Sequence, residues 1–249
     1  MNVLLLDSKS ILYRGYYAFK DLSTTDGVEI GACFGFLKLL ILANKKFKPD
    51  IIIAVWDPKG GDKFRAGLYP EYKANRKRAR DEFYSQIPIT KDFLSSIGIA
   101  NLEVMGVEAD DVLGTLAKSY LSEAENINIL TGDRDFLQLI DDKITISLMR
   151  RGLSDVINCN TDYLVDKYGF NNPKKIIFLK SLMGDSSDNI PGAKGIGEKT
   201  ALKLISEYEN LKDLYSNLDK VENIKLREKL IASTDLSELS EVLATIRTN

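Results

Sequence analysis

Short apolar runs that alternate with helical patterns set the strongest limit on how this chain can fold. Four such runs are short, rich in leucine or β-branched residues and bounded by polar residues, at 3–6, 51–56, 127–131 and 144–148. Two of the four runs are nearly continuously apolar, which suits strands that are buried on both faces of a parallel sheet. Amphipathic helical spacing lies between them, at 30–43, 89–96 and 109–121. The pattern predicts an α/β fold with a mostly parallel central sheet flanked by helices.

The strand pattern ends near residue 161. Thr161 can cap a helix that closes at Gly169, and Asn172 with Pro173 can begin another helix. A turn-rich stretch at 184–200 is followed by helical patterns to the end of the sequence. We therefore expect an α/β core at residues 1–160 and an all-helical lobe at residues 161–249.

Composition excludes several kinds of site. The 249 residues contain no histidine, so a Ser-His-Asp triad and a zinc-histidine site are both excluded. Cys33 and Cys159 are too few and too far apart for a disulfide scaffold. No apolar run approaches the roughly 18 residues of a membrane span, and the first residues lack a cationic signal-peptide start. We expect a soluble cytoplasmic protein from a reducing compartment, without a membrane partner.

Aspartates follow three of the predicted strands, at Asp7, Asp57 and Asp133. The carboxyl ends of parallel strands meet at one edge of a sheet, so these side chains are expected to share that edge. An aspartate after a strand also commonly caps the next helix, and capping is the alternative for each one taken alone. Further acids stand close by in the sequence, at Glu108, Asp110, Asp111 and Asp135.

Crowded carboxylates without histidine favour a hard divalent cation. Carboxylates packed this closely repel one another, and a divalent ion relieves the repulsion. Oxygen ligands suit Mg²⁺, for which Mn²⁺ can substitute. Two or more such ions among many carboxylates form an arrangement that hydrolyses phosphodiesters. The acids therefore predict a metal-dependent phosphodiesterase site.

One stretch of the sequence is strongly basic. Residues 59–80 contain eight lysines and arginines against Asp62 and Glu71, a local charge of +6. A basic run of this kind attracts a polyanion, although a solvated surface charge is the alternative for any single member.

Three competing motifs are incomplete. The stretch GAKGIGEKT at 192–200 misses the spacing of a nucleotide-binding P-loop and follows a helical segment. A dinucleotide fold would place glycines after the first strand, where Ser-Lys-Ser follows Asp7. A phosphatase with an aspartyl nucleophile would carry a second aspartate at the position of Lys9.

Five motifs in chain order resemble the bacterial 5′-nuclease (flap endonuclease) family. They are VLLLD, FRAGLYPEYKANR, GVEADD, TGDRDFLQLI and MGDSSDNIPGAKGIGEKTA, and the resemblance runs from residue 1 to about residue 247. It implies a PIN-like nuclease core with a helical arch at about residues 73–90, and a lobe of the helix-hairpin-helix type that binds DNA. Ser8 departs from the usual glycine, and the absence of proline between Arg76 and Pro88 leaves the arch conformation open.

The resemblance also implies roles for individual residues. Metal ions would be held, directly or through water, by Asp7, Asp57, Glu108, Asp110, Asp111, Asp133, Asp135, Asp185 and Asp188. Lys73 and Arg76 would stabilise the scissile phosphate in the transition state. Contacts with DNA would come from Arg14, Tyr17, Tyr72, Lys180, Gly192, Lys194, Gly195, Gly197 and Lys199. A K⁺ ion in the DNA-binding hairpin would be held by the backbone carbonyls of Leu182, Met183, Pro191, Ala193 and Ile196.

The function implied by this resemblance is structure-specific 5′ nuclease activity. The enzyme would hydrolyse phosphodiesters at 5′ ends and 5′ flaps of DNA, and RNA primers on DNA, in bacterial replication and repair. Its partners would be branched, nicked or 5′-ended duplex DNA, and we expect a monomer associated with the nucleoid, with a polymerase domain in the full-length protein. The alternative is a paralogue that binds branched DNA without cutting it. The acids disfavour that alternative, because they would weaken phosphate binding.

Overall fold

The computed structural model describes residues 1–61, 63–152 and 155–249, and these form two compact units. The first unit contains Met1–Lys63, Arg78–Asn160 and Arg247–Asn249, and the second contains Phe64–Lys77 and Thr161–Ile246. The described structure therefore groups the segment Phe64–Lys77 with the helical residues, whereas the sequence predicts it as part of the core. Asp62, which belongs to the basic stretch, lies outside the described residues.

The described strands of the first unit form one six-stranded sheet with the order β3-β2-β1-β4-β5-β6. The strands are β1 (Asn2–Asp7), β2 (Ile51–Trp56), β3 (Ala100–Glu103), β4 (Asn126–Thr131), β5 (Ile144–Met149) and β6 (Val156–Cys159). All neighbours are parallel except the antiparallel pair β5 and β6. The predicted mostly parallel sheet is confirmed. The sequence pattern does not predict the two edge strands, because each has only four residues, most of them partly or fully exposed, and carries no continuous apolar run.

Four helices of the first unit pack with this sheet: α1 (Ser8–Ala18), α2 (Gly31–Phe47), α4 (Asp81–Ser96) and α5 (Ala109–Ser119). Leu4 and Leu6 of β1 share a buried cluster with Phe36 and Trp56. Helices α1 and α2 approach closely at Gly15 and Gly35, where a Cβ on Gly35 would lie 2.2 Å from the Cα of Gly15. This contact fixes α1, which begins directly after Asp7, against the rest of the core.

Half of the segment expected to form an arch belongs to helix α4. Phe83 is fully buried in the core cluster, and the Gln86 side chain accepts a hydrogen bond from the Ala32 backbone amide at 2.7 Å. Residues 76–80 have irregular backbone, and Arg78 pairs with Asp81 at the start of α4. An arch that spans residues 73–90 would therefore require the first turns of α4 to leave the core.

The second unit is helical in its described residues, as predicted. After α3 (Lys63–Leu68), of which all but Lys63 belongs to this unit, come α6 (Thr161–Tyr168), α7 (Lys175–Met183), α8 (Glu198–Glu207), α9 (Leu211–Ser216), α10 (Ile224–Ile231) and α11 (Thr234–Ala244). The backbones of Gly184 and Gly192 are in close contact after α7: a Cβ on Gly192 would lie only 2.3 Å from the Gly184 nitrogen. None of the helices in the described ranges has both the length and the apolar character needed to cross a bilayer.

Arg65 ties α3 to the end of α11. Its guanidinium donates to the carbonyls of Leu243 at 2.9 Å and Thr245 at 2.6 Å, and the residue is only 2% exposed. The last carbonyls of a helix lack intrahelical donors, so this arginine satisfies groups that would otherwise be buried without a partner. Arg65 was counted in the basic stretch, but the structure removes it from the surface charges that could meet a polyanion.

We predict that Gly35→Ala lowers the stability of the fold. The new methyl group would overlap the α1 backbone, and overpacking of this kind costs roughly 1–3 kcal/mol. Urea unfolding monitored by circular dichroism measures the loss. The matched control is Gly67→Ala in α3, where a Cβ has nothing within 4 Å. That variant is expected to be neutral or slightly more stable, since alanine is the better helix former. Equal loss in both variants would contradict the packing explanation.

Candidate active site

Three aspartates lie at the carboxyl edge of the central strands. Asp7 ends β1, Asp57 directly follows β2, and Asp133 lies two residues after β4. Strands β2 and β4 both pair with β1 in parallel, so the three strands present the same end at the same edge. The structure thus places these side chains together at the edge predicted from the sequence.

Asp7 is the carboxylate most affected by this crowding. It is 6% exposed, it accepts a hydrogen bond from the Thr131 hydroxyl at 2.6 Å, and it accepts another from the Ser10 amide at 3.3 Å. Burial raises its pKa to about 7, and the negative charges of Asp57 and Asp133 add to the increase while the hydrogen bonds oppose it. Near neutral pH the site therefore carries a carboxylate that is poorly compensated by the chain itself.

Two of these aspartates cap the turns that follow them, and the third accepts a hydrogen bond at the beginning of another helix. Asp7 caps α1 through the Ser10 amide, and Asp133 accepts a hydrogen bond from the Asp135 amide at 2.9 Å. Asp57 accepts from the Ala109 amide at 3.0 Å, at the beginning of α5. An aspartate at this edge can therefore cap a turn or helix and also belong to the acidic cluster. The Asp57 bond also brings the end of β2 to the acidic segment that contains Glu108, Asp110 and Asp111.

Cations of the first unit pair with two of the acids. The Lys9 ammonium lies 3.2 Å from Asp57. Asp111, which is buried, accepts hydrogen bonds from the Arg247 amide at 2.9 Å and from its guanidinium at 3.0 Å. No sequence pattern predicts either pairing, because Arg247 lies 136 residues from Asp111 and Lys9 stands out only as a departure from a phosphatase motif.

The donor set fits a divalent cation, but it is not already arranged around one. No group of three or more acidic or cysteine side chains within residues 1–61, 63–152 and 155–249 is positioned to hold a metal ion. The carboxylates repel one another, and Asp57 and Asp111 pair with cations of the chain. Both effects keep the acidic side chains from converging on one point. The buried, poorly compensated Asp7 carboxylate beside two more aspartates is nevertheless the chemistry that suits Mg²⁺.

The remaining two acids expected to bind metal belong to the second unit. Asp185 lies 2.5 Å from the Lys180 ammonium, and it accepts hydrogen bonds from the Ser187 amide and hydroxyl. Although burial opposes the shift, this ion pair and the hydrogen bonds lower the pKa of Asp185 to about 2. Asp188 is buried and pairs with both Lys73 and Arg76. In this structure, Lys180 and the expected catalytic pair contact carboxylates of their own unit.

The expected DNA contacts in the first unit have different surroundings. Arg14 donates to the carbonyls of Met149 at 2.9 Å and Arg150 at 2.7 Å, so its guanidinium holds the end of β5. Tyr17 is 61% exposed and lines a cavity of about 470 Å³ together with Ser10 and Gly132. Tyr17 therefore presents a ring to solvent, whereas Arg14, which lines the same cavity, uses its guanidinium to bind carbonyls of the chain.

Tyr72, in the second unit, is the other tyrosine that is expected to contact DNA. It is half-buried and packs against a small cluster that contains Ile190 and Leu243, with the Lys73 ammonium 4.9 Å from the centre of its ring. Its ring is therefore used in packing rather than held free for a base.

Two amides of the glycine-rich hairpin are used internally. The Gly192 amide donates to the Ser240 hydroxyl at 2.9 Å, and the Lys194 amide donates to the Ser233 hydroxyl at 3.1 Å. At the other end of the hairpin, α8 begins after Gly197, and in the described chain no side chain caps that helix start. An additional cation lies beside the hairpin, since the Lys229 ammonium is 3.3 Å from where a Cβ on Gly195 would stand.

Two of the five carbonyls expected around K⁺ already accept backbone hydrogen bonds. The Leu182 carbonyl accepts from Ala193 at 2.7 Å, and the Ala193 carbonyl accepts from Ile196 at 3.1 Å. Met183 and Pro191 flank the close contact between Gly184 and Gly192. The hairpin backbone is thus tightly folded, and the K⁺ site stays a prediction.

The chain combines an α/β first unit, with aspartates at the carboxyl edge of its sheet, and a second unit that is helical in its described residues. Residues 2–169 match the 5'-3' exonuclease, N-terminal resolvase-like domain, and residues 171–249 match the 5'-3' exonuclease, C-terminal SAM fold. The chain belongs to the 5'-3' exonuclease family.

Comparisons with individual proteins agree with this family. DNA polymerase I of Bacillus subtilis is 38% identical over 248 residues, which cover 100% of this chain and 28% of that protein. The chain therefore spans less than a third of the length of this relative. Bacteriophage T5 5'-exonuclease with bound zinc has the same fold, with a TM-score of 0.84 at 22% identity over 100% of this chain and 90% of that one. A T5 flap endonuclease complex with DNA and metal ions gives the same values.

We predict that Asp7→Asn stabilises the metal-free protein at pH 8. The pKa of Asp7 in the folded protein lies above its usual value of 3.8, so its charge opposes folding increasingly as the pH rises from about 4 to about 7. Asparagine removes that charge, and each kcal/mol recovered raises the unfolding midpoint by roughly 2–4 °C. Thermal unfolding in EDTA at pH 8 and pH 5 measures the difference, which should be larger at pH 8.

Asp26→Asn is the matched control, because Asp26 is an exposed aspartate of the same unit. Mg²⁺ should raise the unfolding midpoint of the parent and of this control, but not that of Asp7→Asn. A variant that is less stable than the parent at pH 8 would contradict the assigned charge crowding.

Proposed function

We propose that the chain is a metal-dependent, structure-specific 5′ nuclease that hydrolyses phosphodiesters at 5′ ends and 5′ flaps of DNA. The observation that carries this proposal is the buried Asp7 carboxylate, whose pKa is raised by burial and by Asp57 and Asp133. Such a cluster is balanced by divalent cations rather than by an organic substrate. Membership of the 5'-3' exonuclease family and the T5 flap endonuclease complex with DNA and metal ions support it.

Mg²⁺ is the proposed ion, with Mn²⁺ as a substitute. Its first ligands would be Asp7, Asp57 and Asp133, with the other acids of the first unit, Glu108, Asp110, Asp111 and Asp135, completing the set directly or through water. When bound, ions of this kind lower the pKa of water and neutralise charge on phosphate oxygens. Asp57 would exchange its Lys9 partner for the ion. Asp111 would bind the ion either together with Arg247 or in its place.

Lys73 and Arg76 are proposed to stabilise the negative charge that develops on the scissile phosphate. They lie one turn apart and both point at Asp188 in the structure. A phosphate offers the same acceptor geometry as this carboxylate, and a guanidinium binds it through charge-assisted hydrogen bonds. The substrate would therefore compete with Asp188 for two cations that are already side by side.

The hairpin at 192–200 is proposed to hold the DNA backbone without reading sequence. The uncapped start of α8 and the ammonium groups of Lys194, Lys199 and Lys229 supply donors and charge for phosphates. A K⁺ ion bound by carbonyls of this hairpin would add to that charge. The polymerase relatives suggest a full-length protein in which nuclease and polymerase act on the same DNA, as primer removal requires.

The nuclease proposal is tested with a labelled duplex that carries a 5′ flap. We expect cleavage with Mg²⁺, none with EDTA, and a loss of at least about 100-fold in Asp135→Ala, which removes an acid at the sheet edge. Asp92→Ala, an exposed aspartate of α4, should cut like the parent. Binding without cleavage by the parent would favour the non-cutting paralogue and reject the nuclease.

The roles of Lys73 and Arg76 are tested with the double variant Lys73→Ala/Arg76→Ala. Removing one donor to a developing oxyanion typically costs about 100- to 1000-fold in rate. We therefore expect single-turnover cleavage at saturating DNA to fall by at least about 100-fold, with duplex affinity in Ca²⁺ changed far less. The control Lys77→Ala/Arg78→Ala removes two neighbouring exposed cations and should mainly weaken binding. Equal losses of rate and affinity in the first variant would assign Lys73 and Arg76 to binding alone.

A further inference from the structure

The loop that carries Lys73 and Arg76 is fastened to the loop that carries Asp188. We call residues 69–77 the cationic loop and residues 185–190 the acidic loop; both belong to the second unit. Asn75 donates from its side-chain amide to the Ser186 carbonyl at 2.6 Å. Asn189 donates from the opposite loop to the Glu71 carbonyl at 2.7 Å. The two asparagines therefore bind the loops reciprocally, one bond in each direction.

The backbone between these two bonds is fixed as well. The Lys73 amide donates to the Asp188 carbonyl at 2.8 Å, and Lys73 takes a left-handed conformation with φ of 57°. Successive turns close the cationic loop, including one from the Arg76 amide to the Lys73 carbonyl at 3.0 Å. The Lys73 ammonium lies 3.7 Å from Asp188, and the Arg76 guanidinium pairs with the same carboxylate. The loop conformation thus aims both cations at one point.

Asn189 stands at a corner that few residues tolerate. Its φ is 57°, and asparagine accepts this left-handed conformation more readily than most residues. The acidic loop is closed around it by reciprocal backbone hydrogen bonds between Asp185 and Ile190, at 2.9 and 2.8 Å. The small cluster that contains Ile190 then packs against Tyr69 and Tyr72 of the cationic loop. The left-handed conformation of Asn189 accompanies the hydrogen bond from its side-chain amide to the Glu71 carbonyl.

The ion pairs alone would not hold this arrangement when substrate arrives. A phosphate that engages Lys73 and Arg76 competes directly with Asp188, so the salt bridges that aim the cations weaken at the moment they are needed. The two asparagine bonds join neutral amide donors to backbone carbonyls, and a phosphate binds a neutral amide less strongly than it binds a cation. We propose that Asn75 and Asn189 are positioning residues that keep Lys73 and Arg76 aimed while their side chains exchange Asp188 for phosphate. This inference rests on the proposed nuclease function.

Cleavage kinetics give the first test, using Asn75→Ala and Asn189→Gly. Both variants lose the donor without adding charge, and glycine keeps the left-handed corner at residue 189. We expect the single-turnover rate at saturating flap DNA to fall about tenfold in each, as loss of one well-placed hydrogen bond allows. Affinity in Ca²⁺ should stay within about twofold. Asn171→Ala, an exposed asparagine of the same unit, should cut like the parent.

Two results would overturn the inference. One is parental cleavage by both variants, and the other is a loss of affinity as large as the loss of rate. Unfolding midpoints are measured alongside, and a rate loss that tracks a lower midpoint counts against positioning. A second comparison adds Asn189→Gly to the Lys73→Ala/Arg76→Ala background. There we expect less than about a twofold further loss, because the residues act as one unit; a full additional tenfold loss rejects coupling through the cations.

Limited trypsin digestion tests the fastening independently of nuclease activity. Trypsin cuts after Lys73, Arg76 and Lys77, so the rate of cleavage at these bonds measures how often the cationic loop is accessible to the protease. Cleavage at these bonds depends on local opening, and it should be about tenfold faster in Asn75→Ala and Asn189→Gly than in the parent or Asn171→Ala. An unchanged digestion rate rejects the fastening even if the parent cuts DNA. If the parent does not cut DNA but both variants are digested faster than the parent, the nuclease proposal alone is rejected and the fastening of the loops stands.

Discussion

The repulsion among Asp7, Asp57 and Asp133 is the constraint on which the active-site edge depends. It follows from topology, because β1 lies between β2 and β4 and all three strands end at the same edge. Hydrogen bonds from Thr131 and Ser10 offset part of the cost of burying Asp7. The apolar core beneath the strands supplies the stability that allows such a site to persist. Strain of this kind is common where function requires it, since selection maintains stability only above a threshold.

Local patterns in the sequence predicted the parts of the fold that are locally determined. Short apolar runs identify β1, β2, β4 and β5, because their buried positions need apolar side chains. Strands β3 and β6 lie at the sheet edges and have only four residues each, most of them partly or fully exposed, so no comparable run marks them. The aspartates after the strands were predicted together for the same reason: parallel order brings their positions to one edge. Their metal-binding roles remain predictions.

Partners distant in sequence could not be predicted. Arg247 on Asp111 and Arg65 on the end of α11 are each contacts across more than 130 residues. Composition counts every arginine as a surface cation, yet Arg65 is buried and serves helix carbonyls. Gly192 shows the same limit: its motif predicts close approach to phosphate, whereas the structure uses the missing side chain to accommodate Gly184. A sequence motif can therefore indicate which residues are functionally important without predicting which residues they contact.

Pairing between acids and cations of the chain explains how a metal-free fold tolerates so much negative charge. The nine acids with expected metal roles leave 27 acidic against 34 basic residues in the rest of the sequence, which attracts a polyanion. Asp57, Asp111, Asp185 and Asp188 each pair with a cation of their own unit. Under the proposed function Asp57 would exchange Lys9 for a divalent ion, and Lys73 and Arg76 would exchange Asp188 for phosphate. Each exchange requires that the side chains keep their geometry while their partners change. Neutral hydrogen bonds such as those of Asn75 and Asn189 are suited to preserve that geometry, since a phosphate binds a cation more strongly than it binds a neutral amide donor.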